Sequence, residues 1–145
     1  MAASAFAEPK TPAALPAVRG GVAPYLMIDG AAKAADFYKR ALGAEEAYRY
    51  PVDDKGRTMH IHLYINGGSV MLSDFYPEHG FSPEKPQAFN LGLSIKDVDA
   101  WWKRIVDAGG TIVMPLEKQF WGDRYGQVRD PFGITWALFT PASAD

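Results

Sequence analysis

The pattern that most narrows what this chain can fold into is an order of elements that occurs twice. Between residues 22 and 74, the apolar run VAPYLMI precedes a helical stretch and then three strand-like runs, EEAYRYPV, TMHIHLYI and SVMLSDF. Between residues 89 and 140 the order returns, as FNLGLSI, a second helical stretch, then TIVMPLE, WGDRYGQVRD and ITWALF. In the first helical stretch Ala34, Phe37, Tyr38, Ala41 and Leu42 recur at helical spacing, and Gly43 offers a stop. In the second, Val98, Trp101, Trp102 and Ile105 form the apolar face, with Asp97 placed as an N-cap and Gly109 as a stop. The helices also echo each other in sequence, FYKRALGA against WWKRIVDAGG. A β-α-β-β-β order met twice predicts an α+β domain over residues 22–140. Its modules span about 22–74 and about 89–140, and the linker of about 75–88 carries three prolines.

Within the first module, TMHIHLYI alternates strictly. Met59, Ile61, Leu63 and Ile65 fall on one face of a strand, and His60, His62 and Tyr64 fall on the other. NGG then signals a hairpin into SVMLSDF. The two imidazoles would sit about 7 Å apart along the chain. Three uses suit such a pair: walls of a pocket, an acid/base group, or ligands of a metal site. A His-x-His pair also suggests a cupin, but Asn66 and Gly67 stand where a following Glu would be needed.

Composition excludes several classes. The chain has no cysteine, which removes disulfides, a thiol nucleophile and cysteine zinc sites. It also suits a cytoplasmic setting. The formal net charge is −2 with both signs interspersed, so no basic stripe offers itself to nucleic acid. No apolar run approaches the ~18–20 residues of a membrane span. The first 21 residues are rich in Ala and Pro and read as a disordered tail without a secretory signal. No Gly-rich phosphate loop and no nucleophile elbow is present.

The motifs DFYKRALGAE and RDPFGITW, set in this doubled order, resemble the vicinal oxygen chelate superfamily. That superfamily includes glyoxalase I, extradiol dioxygenases, and fosfomycin and bleomycin resistance proteins. MHIHLYINGGSVMLSD followed by FWGDRYGQVRDPFG is similar, more narrowly, to its PhnB-like branch. The resemblance implies two modules whose curved sheets surround a concave cavity, with helices on the convex side. It places the family's metal ligands at Ala23, Leu72, Asn90 and Ala137, of which only Asn90 carries a donor side chain. It therefore implies neither metal nor cofactor here. It also departs from the PhnB-like pattern at His62, where relatives tend to carry an acidic residue. Small two-module members usually pair, so a homodimer is expected.

The candidate catalytic residues are His60, His62 and Asp74, the last as an orienting carboxylate or, alternatively, a cap or turn carboxylate. The candidate ligand-binding residues are Tyr25, Tyr64, Asn90, Trp121, Arg124 and Tyr125, with an Arg124–Asp123 surface pair as the plainer reading. Trp101, Trp102 and Trp136 read as core, and His79 as a solvated linker residue. Two functions remain open: a metal-independent binder of a small molecule, or a lyase or isomerase using His60 or His62. The sequence does not name the ligand.

Overall fold

A computed structural model describes residues 15–141. The element order is β1 (Tyr25–Met27), α1 (Ala31–Leu42), β2 (Glu45–Arg49), β3 (Ile61–Ile65), β4 (Gly68–Ser73), β5 (Leu91–Ser94), α2 (Val98–Asp107), β6 (Thr111–Lys118), β7 (Arg124–Arg129) and β8 (Thr135–Thr140). A one-turn 3-10 helix, Pro77–His79, lies in the linker. The strands form two four-stranded sheets, ordered β1-β4-β3-β2 and β5-β8-β7-β6. The first and last strands of each module pair in parallel, and the other neighbours are antiparallel. The α+β class and the doubled β-α-β-β-β order are both as the sequence predicts. By compactness the chain divides into a unit of residues up to Asp36 with Glu45–Glu84, and a unit of Phe37–Ala44 with Lys85 onward.

The hairpin between β3 and β4 is built as its sequence requires. Asn66 has φ +50° and Gly67 φ +82°, so both central residues occupy the left-handed region. Asn-Gly is the pair that tolerates this best, and such a turn matches the twist of the flanking strands. It fixes the register Ile65↔Gly68, Leu63↔Val70 and Ile61↔Leu72. Alternation then sends Ile61, Leu63, Ile65, Val70 and Leu72 to one buried face of the first sheet, with Leu26 and Ile28 beside them. Ala31, Ala34 and Ala35 of α1 are wholly buried in the same unit.

In the second unit the core holds Phe37, Tyr38, Ala41 and Leu42 of α1 with Ile105, Val128, Ile134, Trp136 and Leu138. Tyr38 meets Trp136 edge-on at 5.4 Å between centroids. The Tyr38 hydroxyl donates to Asp130 Oδ2 (2.5 Å), and Trp136 Nε1 donates to the same oxygen (2.9 Å). Burial and the Asp130 charge push the Tyr38 phenol well above its ordinary range, so it stays a donor. The Asp130 Oδ1 accepts the backbone N–H groups of Phe132 and Ile134, closing the DPFG turn.

Several details differ from the sequence reading. Of the expected tail, residues 1–14 lie outside the described residues. Residues 15–21 have neither helix nor strand, yet they bind β4. Arg19 N–H donates to Ser69 Oγ (2.7 Å), and Ser69 N–H donates to Arg19 C=O (2.9 Å). Asp97 does occupy the N-cap of α2, but its side chain makes no capping hydrogen bond. Leu72, expected at a cavity position, is wholly buried on the core face. Counting residues across loops misplaced it. The parallel pairs Tyr25↔Met71 and Gly92↔Ala137 occupy corresponding places in the two sheets, so Met71 answers to Ala137. Trp136 is core, whereas Trp101 and Trp102 are half-buried.

Candidate ligand cavity on the first sheet

The face of the first sheet opposite its apolar core carries rings and thioethers. Pairing lines up Tyr25, Met71, His62 and Tyr48 across the four strands. A cavity of about 430 Å³ opens on this side, lined by Tyr25, Met27, Met59, Ser73, Asp74, Tyr76 and Phe81. Tyr25 and Met27 come from β1, Ser73 ends β4, and Tyr76 and Phe81 face each other across an isolated β-bridge in the linker. The linker thus supplies one wall of the cavity.

That wall is held by an arginine. Arg57 donates through Nε to Asp53 (2.9 Å) and through both terminal nitrogens to Glu78 (2.8 and 2.9 Å). Its guanidinium lies 4.3 Å from the Tyr76 ring centroid. Such a forked pair fixes orientation as well as distance. Glu78 is drawn down to about 2 by this hydrogen bonding, so the clamp persists through the neutral range. Tyr76 is pushed up to about 12, first by burial and then by the charges of Asp53 and Asp74.

Asp74 is a correction to the sequence reading. It is buried and lines the cavity, but its carboxylate is fully engaged by backbone. Oδ1 accepts Gly30 N–H (2.8 Å) and Ala31 N–H (3.1 Å), and Oδ2 accepts Thr58 N–H (2.8 Å). It therefore caps α1 from a distant strand and ties the segment before β3 to it. No hydrogen bond joins it to either histidine, so it orients neither.

His60 instead bonds Tyr25. The Tyr25 hydroxyl lies 2.9 Å from His60 Nδ1 and 3.2 Å from Met59 C=O. Burial depresses the imidazole below its ordinary 6.5, and the neighbouring His62 adds to this. Burial also raises the Tyr25 phenol. A neutral imidazole has one protonated nitrogen, so the pair can adopt either of two arrangements of its hydrogens. His60 Nε2 makes no hydrogen bond with a described residue, and no buried side-chain nitrogen or oxygen of the described residues lacks a partner, so Nε2 meets solvent. Tyr25 is shared between the cavity wall and this pair, whereas neither histidine lines the cavity.

His62 and Tyr64 share the expected face but are covered. His62 is 3% exposed, and its Nε2 lies 2.7 Å from Ser69 Oγ. The Ser69 oxygen already accepts Arg19 N–H, so its own hydrogen is available to His62. Burial and the Arg19 charge hold His62 below 6.5. The Tyr64 hydroxyl donates to Ala17 C=O (2.7 Å), and the Arg19 guanidinium stacks 3.7 Å above its ring centroid. Residues 17–19 thus occupy the place where Tyr64 was expected to meet a ligand.

A shared metal on the two histidines fails on geometry. Two imidazoles binding one tetrahedral ion place their ring centroids roughly 5 Å apart, given Zn–N near 2.0–2.1 Å. Here the centroids lie 6.5 Å apart, and one nitrogen of each ring is engaged by Tyr25 or Ser69. No group of three or more His, Asp or Glu poised for a metal occurs among the described residues. The resemblance assigns ligands to Ala23, Leu72, Asn90 and Ala137; the strand register moves the second of these to Met71, and Ala23 and Asn90 lie just before β1 and β5. This donor set does not fit a divalent ion.

The remaining candidates lie in the second unit. Trp121 meets Tyr125 edge-on at 5.7 Å, and Tyr125 stacks on Phe139 at 6.1 Å. Asn90 is exposed just before β5. Arg124 is a second correction: its guanidinium binds Asp99 at the start of α2, with Nη2 at 2.5 Å from Oδ1. Strand parity explains this, since Arg124 and Tyr125 point to opposite faces. The sequence reading missed Met27, Met59, Ser73, Tyr76 and Phe81. Met27 and Ser73 carried the parity signal of Tyr25 and Met71, but Tyr76 and Phe81 sit in what reads as linker.

The glyoxalase/bleomycin resistance protein/dioxygenase superfamily model matches residues 22–138. An uncharacterised protein of Mycobacterium bovis is 43% identical over 130 residues, covering 86% of this chain and 85% of its own. A Pseudomonas aeruginosa protein of solved structure superposes with a TM-score of 0.67 at 27% identity, covering 83% of this chain and 96% of the other. A Bacillus cereus PhnB protein, described as a putative 3-demethylubiquinone-9 3-methyltransferase, gives a TM-score of 0.63 at 22% identity, covering 83% and 99%. That last likeness is one of fold.

Proposed function

The chain belongs to the glyoxalase/bleomycin resistance protein/dioxygenase superfamily, and on that premise we propose that it is a metal-independent binder of a small molecule. The observation that carries this reading is the cavity itself: about 430 Å³, walled by three aromatic rings and two thioethers beside the Tyr25–His60 pair. Pockets of this size and lining suit small organic ligands. The carboxylate that lines the cavity, Asp74, is engaged by three backbone donors. Sequestration of a metabolite or antibiotic fits such a site. We place the protein in the cytoplasm, which a cysteine-free chain suits, and expect a homodimer, which would cover the sheet edges left open by each module.

The test is a thermal-shift screen of small metabolites and antibiotics against wild type and Met27→Trp, which fills the cavity. A ligand of the native state raises the melting temperature. Hits should stabilise wild type and leave the variant unmoved. Hits that stabilise both equally would place the ligand elsewhere. A second reading, a lyase or isomerase, is favoured by one observation: the neutral His60 has one nitrogen fixed by Tyr25 and the other open to solvent. Under that reading His60→Ala would abolish turnover of a bound hit while leaving its affinity nearly intact.

A further inference from the structure

We propose that the cavity on the first sheet selects an uncharged ligand, with an apolar body of one or two rings and one hydrogen-bonding oxygen or nitrogen read by the Tyr25 hydroxyl. This deepens the binding reading above and rests on it. The polar side chains lining the cavity are the Asp74 carboxylate, the Ser73 hydroxyl and the phenols of Tyr25 and Tyr76, and the first two are committed within the chain. The Asp74 oxygens hold the N–H groups of Gly30, Ala31 and Thr58. The Ser73 hydroxyl donates to Asp74 C=O at 3.2 Å. Of the two phenols, Tyr25 stands beside an imidazole: its hydroxyl, between His60 Nδ1 and Met59 C=O, can trade its hydrogen toward a ligand because that imidazole can carry its own hydrogen on either nitrogen. Met27, Met59, Tyr76 and Phe81 supply the rest of the wall, an apolar surface with two adaptable thioethers.

Charge around the cavity opposes an anion. Asp74, Asp53 and Glu78 outnumber the cations beside them, Lys55 and Arg57, and Arg57 is turned to Asp53 and Glu78 by three hydrogen bonds. An anionic group entering here would lose its hydration and meet, among the lining side chains, no cation and, with Ser73 committed, only phenols as donors. A cation fares little better in hydrogen bonding, since the Asp74 lone pairs are directed at backbone N–H groups. An uncharged polar end loses the least water and needs one partner, which Tyr25 provides.

The experiment uses three probes of one shape: 2-naphthylmethanol, 2-naphthoate and 2-naphthylmethylammonium. Their affinities are measured by titration calorimetry near pH 7.5 for the full chain and for Tyr25→Phe, Met27→Trp and Phe81→Ala. The alcohol should bind at least about tenfold tighter than either ion. Tyr25→Phe should weaken the alcohol by about five- to tenfold, a hydrogen bond's worth, and leave the ions unchanged. Met27→Trp should abolish binding of the alcohol. Phe81→Ala, at a half-exposed wall position that spares the core, should weaken it several-fold and stands in should Met27→Trp fold poorly. Equal or tighter binding of the carboxylate or the ammonium, or no binding of the alcohol at millimolar concentration, would overturn the proposal. If an ion binds best and the two wall variants still weaken it, the ligand class is wrong and the site stands. If the wall variants change nothing, the site itself is wrong.

Discussion

Replacing Asp74 by Ala removes, in one step, the acceptor of three backbone N–H groups from two segments of the first unit. Ala31 and Thr58 are wholly buried, so their N–H groups cannot turn to water when the carboxylate is gone. A buried donor left unpaired costs about 1–3 kcal/mol. The third donor, Gly30 N–H, is half-buried and partly recovers its bond from solvent. α1 has no acidic residue in its first turn, so the Asp74 charge also faces its positive end alone on the helix's own account. Losing that interaction adds roughly 0.3–1 kcal/mol. The sum is about 3–5 kcal/mol. At roughly 3 °C per kcal/mol for a chain of this size, the melting temperature should drop by about 10–15 °C. Asp74→Asn keeps one acceptor oxygen but turns an amide N–H₂ toward a backbone donor, so it should fall about midway. Urea unfolding followed by tryptophan fluorescence, with circular dichroism at 222 nm, would measure both. A loss below about 1 kcal/mol for Asp74→Ala would refute the capping role and return the carboxylate to the list of groups free for chemistry.

Four further outcomes follow from the same geometry. Burial holds His60 and His62 below 6.5, so the native state resists protonation more than the unfolded chain does; stability should be full above about pH 6.5 and decline as the pH falls through the depressed values. That decline should flatten in a His60→Gln/His62→Gln double variant, as read by urea midpoints between pH 7.5 and 5; the facing groups to hold in view are Tyr25, Tyr48, Ser69 and Arg19. Tyr38→Phe should cost about 1–2 kcal/mol in chemical unfolding, because Asp130 keeps its Trp136 and backbone donors, whereas Asp130→Ala should cost about 3–5 kcal/mol. Gly126→Ala should cost about 1–3 kcal/mol, since a Cβ there would meet the Trp102 ring at 2.7 Å and Leu116 Cα at 2.8 Å. Elemental analysis after chelator-free purification should find well under one equivalent of Zn, Ni, Fe or Mn, given Ala23, Met71 and Ala137 at the family's ligand places; about one equivalent would contradict it.

The sequence alone determined what depends on local periodicity. Strict alternation placed His60, His62 and Tyr64 opposite Ile61 and Leu63, and Asn66-Gly67 set the turn that keeps this register, because both follow from one backbone conformation repeated along a few residues. The doubled order of elements gave the α+β architecture for the same reason. Only the tertiary structure decided which side chains are free. Asp74 and Gly30 lie 44 positions apart, Tyr64 and Ala17 47 apart, and Arg124 turned to Asp99 instead of its neighbour Asp123. Each of these partners is chosen by the fold bringing distant backbone or charge within 3 Å, a distance that spacing along one chain does not encode. The cavity wall from Tyr76 and Phe81 belongs here too: its sequence is that of a linker, and it becomes a wall because Arg57 and Glu78, 21 positions apart, close on each other.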